Sequence, residues 1–206
     1  MHTALSDTPM LIESRQLHSR IIVSIWLLLM LVTEPRGTGQ LLHFGMLWLG
    51  YILIVIGVLG RIYCANYIGG YKNKTIVSEG PFSVVRNPLY VFSLIASIGI
   101  SLQTGMLIMP LIFFCIFCGY YTKVVAKEEA VLTHIFGEDY TKYVQKVPRW
   151  IPKLQLWHEP CTLESKPLFI RRTLTDAAVF FLLAPFFEII RLLHEHLLLP
   201  IYLSLP

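Results

Sequence analysis

Charged side chains are scarce in this sequence. Asp, Glu, Lys and Arg make up only 15% of its 206 residues, whereas apolar and aromatic residues make up 55%. A soluble domain of ordinary composition carries about 25% charged residues. The shortage argues against a soluble globular protein, because so much apolar surface has no place in water. It favours a chain that lies in the hydrocarbon of a bilayer.

Cysteine is also sparse, and the spacing of the four cysteines indicates neither a disulfide framework nor a closed zinc site. Cys115 and Cys118 form a C-x-x-C within an apolar run, where small packing residues are favoured over a redox or metal pair. We therefore expect no metal site. The formal net charge of +4 is small and spread over loops, so we expect no nucleic-acid partner. Residues 1–20 mix both charge signs and are not expected to be a signal peptide.

Long apolar runs account for most of the chain. A transmembrane helix needs about 20 predominantly apolar residues. Four runs approach this length, and a weaker fifth contains Asp176, Pro185 and Glu188; the five cover residues 21–32, 41–60, 89–102, 105–121 and 173–190. They predict an all-α fold, a polytopic transmembrane helix bundle of four core spans plus a fifth C-terminal membrane helix. We expect a single membrane domain over residues 1–206, with no signal for its oligomeric state.

The basic residues predict the topology of these spans. They concentrate before the first span, between the second and third spans (61–88), and in the segment 122–172. The connection between the first and second spans contains Arg36 as its only basic residue, and the connection between the third and fourth spans contains none. Because basic loops stay on the cytoplasmic side, the N-terminus and both basic segments are expected there, together with any cofactor pocket.

The segment 74–90 carries the first candidate site. Residues 74–82 are rich in β-branched side chains and then broken by Gly80-Pro81, which predicts extended chain followed by a turn. Asn87 and Pro88 suit the N-cap and first position of the next helix. With Arg86 beside it, that helix start would seat a carboxylate. An ordinary cap with an interfacial Arg and Tyr explains the pattern equally well.

Two carboxylates form the second candidate site. The apolar stripe of residues 124–136 predicts a helix that continues from the fourth span and ends at Gly137. Glu128 and Glu129 occupy stripe positions, where burial without partners would be costly. One explanation is ion pairing with Lys123 or Lys127; the other is a cationic ligand. S-adenosylmethionine, with its sulfonium, ammonium, carboxylate and diol, complements the charges of both candidate sites.

Two blocks of sequence carry a resemblance to a known family. Residues 76–82 (IVSEGPF) with 85–90 (VRNPLY) are similar to H-x-L-V-x-x-G-P-Y followed by V-R-H-P-x-Y. Residues 128–132 (EEAVL), 136–143 (FGEDYTKY) and 147–152 (VPRWIP) are similar to E-E-x-x-L, F-G-x-x-Y-x-x-Y and V-P-R-x-x-P. The chain thus resembles the integral-membrane methyltransferases that include isoprenylcysteine carboxyl methyltransferase and phosphatidylethanolamine N-methyltransferase. The resemblance gives a core of residues 41–152 and a C-terminal extension of 153–206.

The resemblance implies an S-adenosylmethionine site and an acceptor that enters from the bilayer. The implied cofactor contacts are Lys74, Thr75, Ile76, Val77, Gly80, Phe82, Asn87, Pro88, Leu89, Tyr90, Glu128 and Glu129. Four positions depart from the family pattern: Lys74 and Asn87 replace His, Phe82 replaces Tyr, and Phe92 replaces a frequent Gly. Arg149 and Trp150 are candidates for binding an anionic acceptor group, with an interfacial anchor as the alternative.

These observations predict methyl transfer from S-adenosylmethionine to a lipophilic acceptor, such as an isoprenylcysteine-type carboxylate or a lipid amine, by direct displacement. The candidate catalytic residues are Arg86, Tyr90, Glu128 and Glu129. A carboxylate acceptor needs no base, whereas an amine must lose a proton, which a glutamate or Tyr90 could assist. The partners expected are the lipid bilayer and a lipophilic small molecule or lipidated acceptor. The alternatives are a sterol-reductase-like NADPH oxidoreductase and a non-catalytic lipid-binding protein.

Overall fold

The computed structural model describes residues 33–35, 39–71, 73–163, 167–196 and 203–205, together with the single positions 24, 28 and 31. The predicted first span over 21–32 therefore lies outside the described residues, apart from those single positions. The described part of the chain contains the other four predicted spans.

Helices dominate the described residues. The long helices are α1 (Gln40–Ile68), α3 (Pro88–Leu102), α4 (Ile108–Phe136) and α6 (Pro167–Glu195), and the short ones are α2 (Pro81–Val84), α5 (Glu138–Lys146) and a 3₁₀ turn (Leu154–Leu156). A two-stranded parallel pair joins β1 (Thr33–Pro35) to β2 (Leu203–Leu205), with Thr33 opposite Leu203. Helices α1, α4 and α6 are long and apolar enough to cross a membrane, and α3 is a shorter apolar helix. The all-α membrane bundle is confirmed.

Small residues bring α1 and α3 into close contact. A Cβ added at Gly57 would lie 2.6 Å from the Ala96 Cβ, and one added at Gly50 would lie 2.7 Å from the carbonyl oxygen of Gly99. Small residues let membrane helices approach backbone to backbone, where dispersion contacts replace the hydrophobic effect as the driving force. Helices α1 and α3 are therefore packed closely against each other.

The C-terminal helix α6 is part of this bundle. Ala184, Phe187 and Ile190 are buried in one apolar cluster with Ile54 of α1 and Met109 of α4. The fifth predicted span is thus confirmed as a long helix, and it begins earlier and ends later than residues 173–190.

Helices α3 and α4 are joined by the short connection of residues 103–107. As predicted, α4 continues past its apolar half and ends at Gly137, whose φ of +56° favours glycine. The turn predicted at Gly80-Pro81 is present, because residues 81–84 form the helical turn α2, and residues 76–78 before it form neither helix nor strand.

Residues 148–163, called the strap below, run along the surface between α5 and α6. The strap contains only the short 3₁₀ turn, in agreement with its high proline content. Three backbone hydrogen bonds fasten it to the segment around α2: Arg86 N to Pro148 O (2.9 Å), Lys153 N to Val84 O (3.0 Å) and Gly80 N to His158 O (2.8 Å).

Candidate functional site

A cavity of about 570 Å³ lies where the candidate segments meet. Ten of its lining residues belong to the set that the sequence singled out: Thr75, Ile76, Val77, Phe82, Arg86, Asn87, Pro88, Leu89, Tyr90 and Glu128. The structure therefore brings the segment 74–90 and the α4 carboxylate together around one space. The volume suits a ligand of drug-like size.

The other lining residues were not among the predicted site residues. They come from the end of α1, the loop after it, α3, one face of α4, and α5: Arg61, Ile68, Asn73, Ser93, Tyr120, Tyr121, Val124, Lys127, Val131, Leu132, Phe136, Tyr140 and Tyr143. The α4 members recur at intervals of three or four residues, which is the spacing of one helix face. This helical periodicity could have identified the α4 residues from the sequence. No comparable pattern marked Arg61 or Ser93.

The start of α3 forms one wall of the cavity. Pro88 stands in the first turn, as predicted. Asn87 stands at the N-cap position, but its side chain makes no capping hydrogen bond. Its Nδ2 donates instead to Glu129 Oε1 at 3.2 Å, so the capping role predicted for Asn87 is wrong.

The Glu128 carboxylate faces the cavity. The Tyr90 hydroxyl donates to Glu128 Oε2 at 3.0 Å, and the Tyr90 ring lies 5.2 Å from the ring of Tyr121, which also lines the space. Because the phenol and the carboxylate come from different helices, their hydrogen bond ties α3 to α4 across the wall of the cavity. The pair combines a negative charge with a group able to donate or accept a proton.

Glu129 has a different environment, although it is the next residue. It is 7% exposed and is not among the residues that line the cavity. Arg149 Nη2 lies 2.5 Å from its Oε2, and Arg86 Nε lies 3.2 Å from its Oε1. Two guanidinium groups and the Asn87 amide thus converge on one buried carboxylate, which joins α4, the start of α3 and the strap. The predicted alternative of pairing with lysines does not describe this residue; arginines surround it.

Five predicted site residues do not line the cavity: Lys74, Gly80, Glu129, Arg149 and Trp150. Gly80 has a φ of +55°, and a Cβ there would lie 2.4 Å from the Tyr67 ring, so this position requires glycine for the turn and for packing. Arg149 points its guanidinium at Glu129, which accounts for the charge that the sequence had assigned to an acceptor group.

Two tyrosines of α5 close the far side of the cavity. The Tyr143 hydroxyl donates to the Phe82 carbonyl oxygen at 2.7 Å. Burial raises the pKa of the Tyr140 phenol to about 12, and the negative charge of Glu129 adds to this shift. Burial also raises the pKa of Tyr143. Both phenols therefore remain neutral hydrogen-bonding groups at physiological pH.

Arg61 brings a positive charge into the membrane-side part of the cavity. It is a residue of the apolar helix α1, and its Nη1 donates to Ser93 Oγ, which itself donates to the Leu89 carbonyl oxygen at 2.7 Å. Its guanidinium lies 5.9 Å from the Phe180 ring centroid of α6. A partly buried cation on an apolar helix needs such polar and aromatic neighbours, because its isolation would be costly.

Phe92, the departure from a frequent family glycine, does not line the cavity. The Phe92 ring packs directly against Gly60 of α1. A Cβ added at Gly60 would lie 2.1 Å from Phe92 Cδ1. A large residue on α3 is thus matched by the absence of a side chain on α1. Among the described residues, no group of three or more His, Cys, Asp or Glu side chains is arranged to hold a metal ion.

The sequence model of the phospholipid methyltransferase family matches residues 39–139. The cobalt-zinc-cadmium resistance protein CzcN of Cupriavidus metallidurans is 30% identical over 176 residues, 85% of this chain and 81% of the relative. The nickel-cobalt-cadmium resistance protein NccN of Alcaligenes xylosoxydans xylosoxydans is 26% identical over 91% of this chain and 87% of the relative.

A shorter match points in the same direction. The protein-S-isoprenylcysteine O-methyltransferase of Schizosaccharomyces pombe is 32% identical over 81 residues, 39% of this chain and 34% of the relative. No solved structure matches the chain significantly. The matched family region ends within α5 and contains most of the cavity walls. From its motifs, its apolar helices and these matches, the chain belongs to the phospholipid methyltransferase family of integral-membrane proteins, which includes the isoprenylcysteine carboxyl methyltransferases.

Proposed function

We propose that the chain transfers a methyl group from S-adenosylmethionine to a lipophilic acceptor at the cytoplasmic face of the membrane. The observation that carries this proposal is the cavity, in which Glu128, its hydrogen-bonding partner Tyr90, and Arg86 line one space of about 570 Å³. A cofactor that bears both cationic and anionic groups needs both signs of charge in its site.

The donor set of the cavity fits this cofactor. Glu128 would hold a cationic group or the ribose diol, and Arg86 with the start of α3 would hold the carboxylate. Ile76 and Val77 line the cavity without forming a helix or strand, so their backbone polar groups would contact an adenine edge. Apolar side chains of α4, such as Val131 and Leu132, would cover the rest.

S-adenosylmethionine, when bound, supplies an electrophilic methyl group on a sulfonium. The residues of the chain contribute orientation and exclusion of water. Phe82, Tyr140 and Tyr143 line one side of the cavity and would shield the reacting atoms from solvent. The Glu128 carboxylate, oriented by the hydrogen bond from Tyr90, would accept the proton released by an amine acceptor, and a carboxylate acceptor would require no base.

The acceptor would enter from the bilayer. Helix α4 carries Tyr120 and Tyr121 in the cavity wall, and its outward residues Leu111, Phe114 and Ile116 are exposed, as expected for a face in contact with lipid. The basic residues of 61–88 and 122–172 support a cytoplasmic position for this end of the bundle. The two long matches are named for metal resistance, and neither name states a reaction, so the acceptor is proposed here only as a lipophilic molecule.

Calorimetry of the purified protein in nanodiscs tests the cofactor. We expect S-adenosylmethionine to bind and NADPH not to bind. Glu128→Gln should weaken S-adenosylmethionine binding by about tenfold or more, because a charge-assisted contact is lost. Glu138→Gln, at the exposed start of α5, removes the same charge away from the cavity and should bind like the wild type. Binding of NADPH instead, or of neither compound, would contradict the proposal.

A further inference from the structure

The strap carries an apolar edge that the bundle does not cover. Ile151 and Leu154 are 80% and 75% exposed, and Trp157 is 44% exposed. Lys153 lies between them and is exposed as well. All four residues lie outside the membrane-spanning helices. Large exposed apolar side chains grouped on a short segment mark a contact surface.

The strap lies at the depth where α1 leaves the hydrocarbon. A helix of 29 residues is longer than the bilayer core, because it measures about 44 Å against about 30 Å. Its ends therefore reach the headgroup region. Tyr63, near the C-terminal end of α1, stacks on Trp157 with ring centroids 6.3 Å apart and an interplanar angle of 8°. Trp and Tyr are enriched at this level of membrane proteins, so the stacked pair places the strap at the interface.

Exposed basic residues lie on the strap and in the first turns of α6, and the strap also carries one exposed acidic residue, Glu159. Lys153 and, in the first turns of α6, Arg171 and Arg172 are exposed. The nearby acidic residue Glu159 accepts a hydrogen bond from the Tyr63 hydroxyl at 2.7 Å. Basic groups beside a bilayer attract anionic headgroups. An apolar edge with flanking basic residues is also the pattern of segments that lie in the plane of the interface.

We propose that the strap docks on the adjacent leaflet and binds anionic phospholipids. Ile151, Leu154 and Trp157 enter the boundary between headgroups and acyl chains, and the basic residues contact the lipid phosphates. The docked strap supports the cavity wall through its three backbone hydrogen bonds to the segment around α2. This docking requires no methyl transfer, so it stands or falls independently of the proposed reaction.

Trp157 can report on its own lipid contacts. Variants that retain one of the four tryptophans are reconstituted into vesicles of equal phosphatidylcholine and phosphatidylglycerol content, with brominated acyl chains on one lipid or the other. We expect brominated phosphatidylglycerol to quench Trp157 more strongly than brominated phosphatidylcholine. Trp48, which is 57% exposed on α1, is the matched control and should be quenched equally by both lipids.

Removing basic charge tests the headgroup contact. Lys153→Gln should lower the preference of Trp157 for phosphatidylglycerol by about fivefold, the factor that one basic residue contributes near an anionic surface. Quenching itself should persist in this variant. If neither lipid quenches Trp157, the strap is not at the membrane; if both quench it equally, it does not select anionic lipid. Either result would overturn the proposal.

A second measurement avoids the tryptophan substitutions. A nitroxide is attached at Leu154→Cys in a chain with Cys115, Cys118 and Cys161 replaced by serine. We expect this label to collide more with oxygen than with a water-soluble nickel chelate. The same label at Gln145→Cys, on the exposed surface of α5, should show the reverse. Equal access of the chelate to both positions would refute insertion of the strap.

Discussion

Replacing Glu129 by glutamine removes the charge that two arginines share. The carboxylate is 7% exposed and lies between Arg86 and Arg149. The Arg86 side chain is only 9% exposed, whereas that of Arg149 is 38% exposed and can turn towards water. The variant therefore leaves one guanidinium in a dry environment without its anion, while the glutamine oxygen can still accept the hydrogen bond from Asn87.

The expected cost follows from these exposures. Removing one member of a buried ion pair costs about 3–5 kcal/mol, and the partial exposure of Arg149 reduces this to about 2–3 kcal/mol. For a chain of this size the loss corresponds to a decrease in Tm of about 4–12 °C. The assay is thermal unfolding in detergent, monitored by circular dichroism. Glu138→Gln, which loses an exposed carboxylate of α5, should cost less than about 1 kcal/mol.

The comparison separates two roles of adjacent residues. Glu129→Gln should act mainly by lowering stability. It should lower cofactor affinity only indirectly, because the start of α3 would be displaced. Glu128→Gln should reduce cofactor affinity while it leaves Tm within a few degrees of the wild type. If Glu129→Gln and Glu138→Gln melt at the same temperature, the buried carboxylate does not hold α4, α3 and the strap together, and the reasoning is refuted.

Two further predictions concern packing and titration. Gly60→Ala should cost about 1–3 kcal/mol, because the new Cβ meets Phe92, and Phe92→Ala in the same chain should recover part of that loss in thermal unfolding. Full stability of Gly60→Ala alone would contradict the contact. The raised pKa of Tyr140, about 12, means that the unfolded chain loses this proton first as pH rises. The stabilisation from Tyr140 should therefore be fully present below pH 10, and the free energy of unfolding should fall by about 2 kcal/mol between pH 10 and 12. The fall should be smaller in Tyr140→Phe. If the free energy of unfolding of that variant falls with pH as steeply as that of the wild type, the effect is excluded.

Much of the fold was predictable because the bilayer constrains it. Uninterrupted apolar runs and glycine at the end of α4 carry local signals, and the structure confirms the helices that they predicted. The Gly80-Pro81 pair also marked the turn correctly, but it gave no sign that the short apolar segment after Gly80 is buried as the helical turn α2.

The site was predictable only in part. Local motifs singled out Arg86, Tyr90 and Glu128, and the structure brings all three to the walls of one cavity. Helical periodicity could not separate Glu128 from Glu129, because both fall near the edge of one apolar stripe, and which of them faces the cavity depends on the neighbouring elements. The partner Arg149 lies on the strap, 20 residues along the chain, and no periodic pattern connects it to Glu129.

The purified protein, incubated with S-adenosylmethionine that carries an isotopically labelled methyl group and with a membrane extract, tests the central claim most directly. The account predicts that label enters a lipophilic product, and that Glu128→Gln loses this transfer while Glu138→Gln retains it. Absence of labelled product with wild-type protein, or equal labelling by wild type and Glu128→Gln, would contradict it.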